Sequence, residues 1–216
     1  MKFVFCLPGR DYSREFLLCW SNLLIQCLAK GHQIVLSQHY SSMVHFARAK
    51  CLGGDVTKGP NQKPFQGQID YDVIMWIDSD VVFEPDDFFK LLESPHDVTS
   101  GIYMSEDGQH LSVVEKRDES YFKTYGTFEM LTLDNLKYAP RYLKVSYAGM
   151  GWMCIKKGAI EKLKYPWFQS ELQNIQDELT DIQSEDVSFC RALERAGVDI
   201  YIDKTVRVGH QKRMIL

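Results

Sequence analysis

The feature that most constrains the fold is the most hydrophobic stretch of the chain, Tyr71–Ile77, of sequence YDVIMWI. Because both faces of such a strand are apolar from Val73 onward, we predict a central strand buried on both sides. Two further short apolar runs, Lys2–Leu7 and His32–Gln38, precede it, and apolar residues recur with helical spacing over Phe16–Leu28 between them. A strand, helix, strand unit of this kind builds a parallel sheet.

The second half of the chain has a different pattern. Short β-like runs at Leu111–Glu115, Thr127–Leu133 and Leu143–Ala148 are separated by polar turns rather than by long helices, which favours antiparallel strands. A helix over Ser184–Ala196 and a strand over Val198–Ile202 complete the pattern. We therefore predict an α/β fold with a mixed, mostly parallel sheet, flanked by helices and with antiparallel additions in the second half.

Length and charge limit the function classes. The 216 residues include 25 Lys and Arg against 29 Asp and Glu, a net charge of −4, and a domain of about 100–200 residues is ordinary, so we predict one domain over residues 1–216. The basic residues are scattered, whereas neutralising nucleic-acid phosphates needs a concentrated basic surface. No apolar run approaches the ~20 residues of a bilayer span. We expect no nucleic-acid partner and no membrane segment.

The cysteines predict a reducing compartment. They are spread along the chain without a CxxC pair and have mostly apolar neighbours, which is typical of reduced thiols that pack in a core. Disulfide-free cysteines of this kind favour a cytoplasmic location. The six residues are Cys6, Cys19, Cys27, Cys51, Cys154 and Cys190.

Two carboxylates, Asp78 and Asp80, directly follow the apolar run, with Ser79 between them. Open α/β sheets bind ligands beyond the carboxyl ends of their strands. Two close carboxylates repel one another unless a cation joins them, and hard oxygen ligands suit Mg²⁺ or Mn²⁺. The motif therefore predicts a divalent-cation site that a substrate phosphate completes. The alternative is an Asx turn that caps the next segment.

Acidic residues also begin the helix predicted late in the chain. Glu185 and Asp186 lie in its first turn, where the helix dipole favours negative charge and keeps a carboxylate ionised. An ionised Asp186 would be suited to accept a proton from a hydroxyl, although the dipole alone accounts for the acidic pair. His210 follows the strand-like run Thr205–Gly209, and a lone histidine is more often a hydrogen-bonded or surface residue than a ligand.

The segment Ala148–Trp152 places Gly149 and Gly151 beside a tryptophan. Glycine lets the backbone approach a ligand, and an indole supplies a flat apolar wall of the kind that sugars bind against. The alternative is a β-bulge with a core tryptophan. Arg10, after the first strand, and Arg48, after the second, are candidates to bind a diphosphate or are solvated surface charges.

Together these motifs resemble the nucleotide-sugar glycosyltransferases with the GT-A fold. The likeness is carried by the hydrophobic strand that ends in an Asp-x-Asp motif at Val73–Asp80, by the glycine and aromatic segment Ala148–Trp152, and by the acidic pair and helix of Ser184–Gly197. Within the family the sequence is similar to the amino-terminal domain of a chlorella-virus enzyme implicated in capsid glycosylation, which implies a location in the host cytoplasm. The resemblance implies a nucleotide-binding half at about 1–104 and an acceptor-binding half at about 105–216.

The resemblance also implies roles for individual residues. Asp78 and Asp80 would hold Mn²⁺ or Mg²⁺, with Asp80 as the direct ligand and Asp78 nearer the ribose, and His210 would be a late metal ligand. Asp186 would be the catalytic base of an inverting enzyme, with Glu185 beside it. The first strand ends in Leu-Pro-Gly-Arg, a departure from one common family pattern. The implied nucleotide-binding residues are Leu7, Pro8, Gly9, Arg10, Ser37, Arg48, Asp78, Ser79, Gly151 and Trp152.

The expected activity is transfer of a sugar from a UDP-sugar to a hydroxyl of a glycan or glycoprotein, with a viral capsid glycan as one acceptor. Two alternatives remain open on sequence alone. A haloacid-dehalogenase-like phosphohydrolase would use Asp78 as its nucleophile, because Asp78–Val82 fits the DxDxT/V loop. A binding module would recognise a nucleotide or glycan without turnover.

Overall fold

Helices alternate with strands through the first half of the chain, and short strands dominate the second. The computed structural model describes residues 1–212. In chain order the elements are β1 Lys2–Pro8, α1 Arg14–Ala29, β2 Gln33–His39, α2 Val44–Cys51, β3 Val73–Ile77, β4 Val81–Val82, α3 Pro85–Leu92, β5 Val98–Ile102, β6 Val113–Val114, α4 Glu119–Tyr125, β7 Tyr142–Val145, β8 Tyr147–Ala148, β9 Trp152–Lys156, β10 Leu172–Ile175, β11 Leu179–Ile182, α5 Glu185–Arg195, β12 Ile200–Arg207 and β13 Gly209–His210.

The main sheet has seven strands in the order β2-β1-β3-β9-β5-β12-β7. Strands β2, β1, β3, β5 and β12 run in one direction, whereas β9 and β7 run in the other. The predicted α/β fold, with a mixed and mostly parallel sheet, is confirmed. One antiparallel addition was not predicted as a strand: β9 lies in the middle of the sheet, between β3 and β5.

The predicted central strand is β3. All five of its residues are buried, and it pairs with β1 on one side and β9 on the other. Helices α1 and α3 pack on one face of the sheet through residues such as Trp20 and Phe88. Helices α2 and α5 pack on the opposite face through Cys51 and Phe189. Two apolar layers therefore enclose β3, which explains why both of its faces are apolar.

One predicted strand is wrong. Thr127–Leu133 forms no strand; its Leu131 only exchanges backbone hydrogen bonds with Leu111 and Val113, at 2.7 and 2.9 Å. The chain before it forms α4 instead, because Asp118 caps the amino terminus and Gly126 ends the helix in the left-handed conformation at φ 71°.

The cysteines are free, and five of the six are buried, as predicted for packing thiols. Burial raises the pKa of the Cys154 and Cys190 thiols to about 12.

Within residues 1–212, no helix combines the length and the apolar character that crossing a bilayer requires.

Trp152 lies inside the core. Its side chain is fully buried, and its ring centroid lies 4.4 Å from that of Phe83. Gly101 in β5 makes room for the indole, because a Cβ there would lie 2.5 Å from Trp152 Cδ1 and 2.8 Å from Val206 Cγ1. The prediction that this indole forms a wall of the ligand site is therefore wrong, and the core alternative is correct.

We expect Gly101→Ala to lower the free energy of unfolding by about 1–3 kcal/mol, because the added methyl overpacks the core against the indole. Urea denaturation measures the change. Gly209→Ala is the matched control, since its Cβ would meet Val82 at an ordinary 3.4 Å. Equal stability of the two variants would contradict this packing.

Candidate active site

The Asp78–Asp80 turn lies at the carboxyl end of β3. The Asp78 amide donates to Gly151 O at 3.0 Å, and the Val81 amide donates back to Asp78 O at 3.2 Å, so the chain turns at Ser79. Strand β4 then pairs with β13, which sets His210 opposite Val81. The pairing therefore places His210 next to the Asp78–Asp80 turn, although more than half of the sequence separates them.

His210 and Asp80 form a close pair. His210 Nε2 lies 3.0 Å from Asp80 Oδ2, and His210 Nδ1 donates to the Met104 carbonyl at 3.0 Å. The carbonyl can only accept, so Nδ1 carries a proton. Nε2 donates to the carboxylate when the imidazole is doubly protonated, and presents a lone pair when the ring is neutral. The hydrogen bond to Asp80 raises the pKa of His210. Although burial opposes it, the same bond lowers the pKa of Asp80.

Asp78 is turned toward a different partner. Its Oδ2 lies 3.0 Å from Arg48 Nη2, while Arg48 Nε lies 3.3 Å from Glu185 Oε1. The Arg48 side chain is only 4% exposed and lies over the Trp76 ring, 5.6 Å from its centroid. Arg48 therefore ties the acidic turn to the first residue of α5.

The charges of this bridge depend on one another. Burial works against the Arg48 cation, but the charges of Asp78 and Glu185 outweigh it and raise the Arg48 pKa. Burial and the neighbouring Asp186 raise the pKa of Glu185, against the effect of Arg48. The prediction that Arg48 binds a diphosphate differs from the structure, in which its guanidinium serves two internal carboxylates.

Asp186 is held by three donors. The Tyr147 hydroxyl donates to Asp186 Oδ2 at 2.8 Å, and the Ser184 hydroxyl and the Val187 amide donate to Oδ1 at 2.5 and 2.8 Å. The Ser184 side chain makes no helix-capping hydrogen bond and binds the Asp186 carboxylate instead. Burial and the Asp186 charge raise the pKa of Tyr147 well above its ordinary value. The carboxylate is thus fixed at the start of α5.

Tyr103 is a site residue that the sequence reasoning missed. Its hydroxyl accepts from the Gly151 amide at 3.0 Å, and its ring lies 5.1 Å from that of His210. A Cβ on Gly149 would lie 2.1 Å from the Tyr103 hydroxyl oxygen. The two glycines therefore make room for a buried phenol. The one available signal was position, because Tyr103 directly follows β5 at the carboxyl end of that strand.

The first strand also reaches the acidic turn. Gly9 lies so close to Ser79 that a Cβ on Gly9 would be 2.7 Å from Ser79 Cβ. Beside this contact is a cavity of about 480 Å³, lined among others by Tyr12, Asp80 and Lys212. Lys212 Nζ lies 3.6 Å from Asp80 Oδ2. The cavity therefore combines carboxylate and ammonium groups at the carboxyl ends of β1 and β3.

Several other residues that were predicted to contact the nucleotide have different surroundings in the structure. The Leu7 side chain is 3% exposed and packs in the core, and Pro8 is buried as well. The Ser37 hydroxyl donates to Cys51 O at 2.8 Å. Arg10 is exposed and its guanidinium lies 5.7 Å from the centroid of the Tyr40 ring. The Leu7 side chain therefore packs within the protein, and the Ser37 side chain forms a hydrogen bond within it.

The residues present fit a divalent ion of the predicted kind. The 3.0 Å between Asp80 Oδ2 and His210 Nε2 is the spacing of neighbouring ligands on an octahedral ion with bonds of about 2.1 Å. Asp78 Oδ1 is buried and has no hydrogen-bond partner within the described residues. Among residues 1–212 no group of three His, Cys, Asp or Glu side chains surrounds one point, so phosphate or water oxygens would have to complete such a site.

Comparisons with known proteins agree with the fold. No protein-family model matches the chain, and no curated protein matches it by sequence. The structure is similar to A197 from STIV, with a TM-score of 0.61 and 20% identity over 99% of this chain and 87% of that one. It is also similar to GalNAc-T7 solved with UDP, GalNAc and Mn²⁺, with a TM-score of 0.51 and 11% identity over 99% of this chain and 44% of that one.

A third similar structure is that of S. aureus TarS 1-349 in complex with UDP-GlcNAc, with a TM-score of 0.50 and 12% identity over the full length of this chain and 60% of that one. The chain thus spans about half the length of these last two proteins. At this identity the likeness shows the fold, which is the GT-A fold of glycosyltransferases.

We expect Arg48→Met to lower the free energy of unfolding by up to about 3 kcal/mol, because it leaves two partly buried carboxylates without their cation. Arg48→Lys should recover part of the loss, since an ammonium keeps the charge but not the guanidinium fork. Chemical denaturation of both variants, with exposed Arg10→Met as the control, measures this. Wild-type stability of Arg48→Met would show that the bridge is dispensable.

Proposed function

We propose that the chain is a metal-dependent glycosyltransferase that moves a sugar from a UDP-sugar to a hydroxyl of a glycan or glycoprotein. The observation that carries the proposal is the Asp80–His210 pair at 3.0 Å, linked through Asp78, Arg48 and Glu185 to the start of α5. Two of the similar structures were solved with UDP or a UDP-sugar, which supports this donor class.

The donor would bind at the carboxyl ends of β1 and β3. Gly9 and Ser79 lie close together there. Lys212, which lines the adjoining cavity, would place its ammonium group near a phosphate. Asp80 and His210, with Asp78 beside them, are the residues that would hold Mn²⁺ or Mg²⁺. When bound, such an ion neutralises the charge that develops on a departing diphosphate.

Asp186 is the residue we assign as the base. It would take the proton of the acceptor hydroxyl as that oxygen attacks the anomeric carbon. Tyr147 and Ser184 hold one carboxylate oxygen each and leave further lone pairs for the acceptor. A base that acts directly on the incoming hydroxyl implies inversion at the anomeric carbon.

The alternatives receive less support. A phosphohydrolase would need Asp78 as a free nucleophile, whereas Asp78 Oδ2 is paired with Arg48 and Oδ1 is buried. A binding module without turnover gives no role to the Asp186 carboxylate, which three donors hold at the start of α5. The chlorella-virus relationship, a capsid glycan as acceptor, the two halves of one domain and the cytoplasmic location stay predictions.

We expect His210→Ala to raise the Kd for Mn²⁺ in the presence of UDP by about 100-fold, since it removes a ligand rather than an outer partner. Isothermal titration calorimetry measures it. His110→Ala is the matched control, because His110 also binds a carboxylate, that of Asp107 at 2.6 Å. Unchanged Mn²⁺ affinity in His210→Ala would remove the proposed ion site.

We expect Asp186→Asn to reduce the kcat of transfer by about 10²–10⁴, because the amide cannot accept the hydroxyl proton. Binding of UDP and Mn²⁺ should be unchanged. A screen of UDP-sugars supplies the assay, and NMR of the product reports its anomeric configuration. Full turnover in the variant, or a product of retained configuration, would contradict the assigned base.

A further inference from the structure

A second cavity, of about 340 Å³, lies between α4, β8, the β10–β11 hairpin and the start of α5. Tyr147 and Ser184 both line it, and these are the two side chains whose hydroxyls hold the Asp186 carboxylate, at 2.8 and 2.5 Å. Two hydroxyl-bearing residues that line the cavity therefore contact the Asp186 carboxylate. Its volume is in the lower part of the range of small-molecule sites, about 300–1,000 Å³.

The walls of this cavity combine apolar and polar groups. Phe122 and Phe128, whose ring centroids are 4.9 Å apart, form its apolar side together with Met130. Arg117 lies over the Phe128 ring, 4.2 Å from its centroid, and donates to Gln173 Oε1 at 2.6 Å. A saccharide presents C–H faces to apolar walls and hydroxyls to polar groups, so both kinds of surface are matched.

The charges in the cavity favour a neutral ligand. Gln173 links Arg117 to Asp181 through a bond from Nε2 to Asp181 Oδ2 of 3.1 Å, so one cation and one anion share the same wall. A negatively charged ligand would meet the Asp181 carboxylate as well as the Arg117 guanidinium, whereas the hydroxyls of a neutral ligand can donate to the first and accept from the second.

We infer that this cavity binds the acceptor, and that the acceptor is a neutral saccharide with one hydroxyl directed at Asp186. The inference rests on the proposed function and goes beyond it by assigning an acceptor site and its chemical class. The apolar walls and the hydrogen-bonding side chains line the cavity, and Tyr147 and Ser184 connect it to the base.

Ile182 allows a test that spares the fold. It lines the cavity yet is 68% exposed, so Ile182→Trp would narrow the opening without disturbing the core. Leu179→Trp is the matched control, on the same strand but outside the cavity, at 41% exposure. Saturation-transfer NMR with UDP and Mg²⁺ would use the methyl β-glycosides of glucose, galactose and xylose as probes, with methyl β-glucuronide as the anionic counterpart.

We expect a neutral glycoside to bind wild type and Leu179→Trp alike, and its Kd to rise about tenfold or more in Ile182→Trp. Binding of no neutral glycoside, equal binding by Ile182→Trp, or stronger binding of the glucuronide would overturn the inference. A parallel calorimetric titration with UDP and Mn²⁺ separates the two proposals. Failure to bind UDP counts against the proposed function, whereas normal UDP binding without a glycoside signal counts against the cavity alone.

Discussion

The site depends on one buried cation. Arg48 lies between Asp78 at the end of β3 and Glu185 at the start of α5, and its side chain is 4% exposed. Carboxylates in such a place repel one another and resist burial unless a cation lies between them. Arg48 offsets both effects with a fork that reaches two partners. The acidic turn and the helix that carries Asp186 are thereby held together, although residues more than a hundred positions apart supply them.

Strand pairing positions the residues around Asp80, on the other side of the turn. The short β4–β13 pair brings His210 to Asp80, and the Met104 carbonyl accepts a hydrogen bond from Nδ1 of the imidazole. Asp78 and Asp80, two residues apart, therefore have different tasks: the first is tied to an internal cation, and the second faces a cavity. Because each carboxylate has its own partner, the two acidic residues can lie at one edge of the sheet despite their mutual repulsion.

The sequence predicts what depends on local pattern. An apolar run followed by acidic residues was enough to predict β3 and its turn, and the helical pattern over Ser184–Ala196 was enough to predict α5. Contacts across the sheet were not predictable, because the sequence does not say which side chains meet. The sequence left open whether Arg48 binds a diphosphate and whether Trp152 forms a ligand wall or packs in the core, where Gly101 makes room for it. The pattern did not indicate Tyr103 as a site residue. Strand β9 was not predicted, because a five-residue run that directly follows Gly149 and Gly151 also fits a bulge or a turn.

The most direct measurement is pulsed electron paramagnetic resonance of Mn²⁺ bound with UDP. Coupling of the electron spin to nitrogen reports a histidine ligand, and coupling to phosphorus reports the diphosphate on the same ion. We expect both couplings in the wild-type protein and loss of the nitrogen coupling in His210→Ala. Phosphorus coupling without nitrogen coupling in the wild type would show that the ion binds the nucleotide away from the Asp80–His210 pair, and would contradict this account.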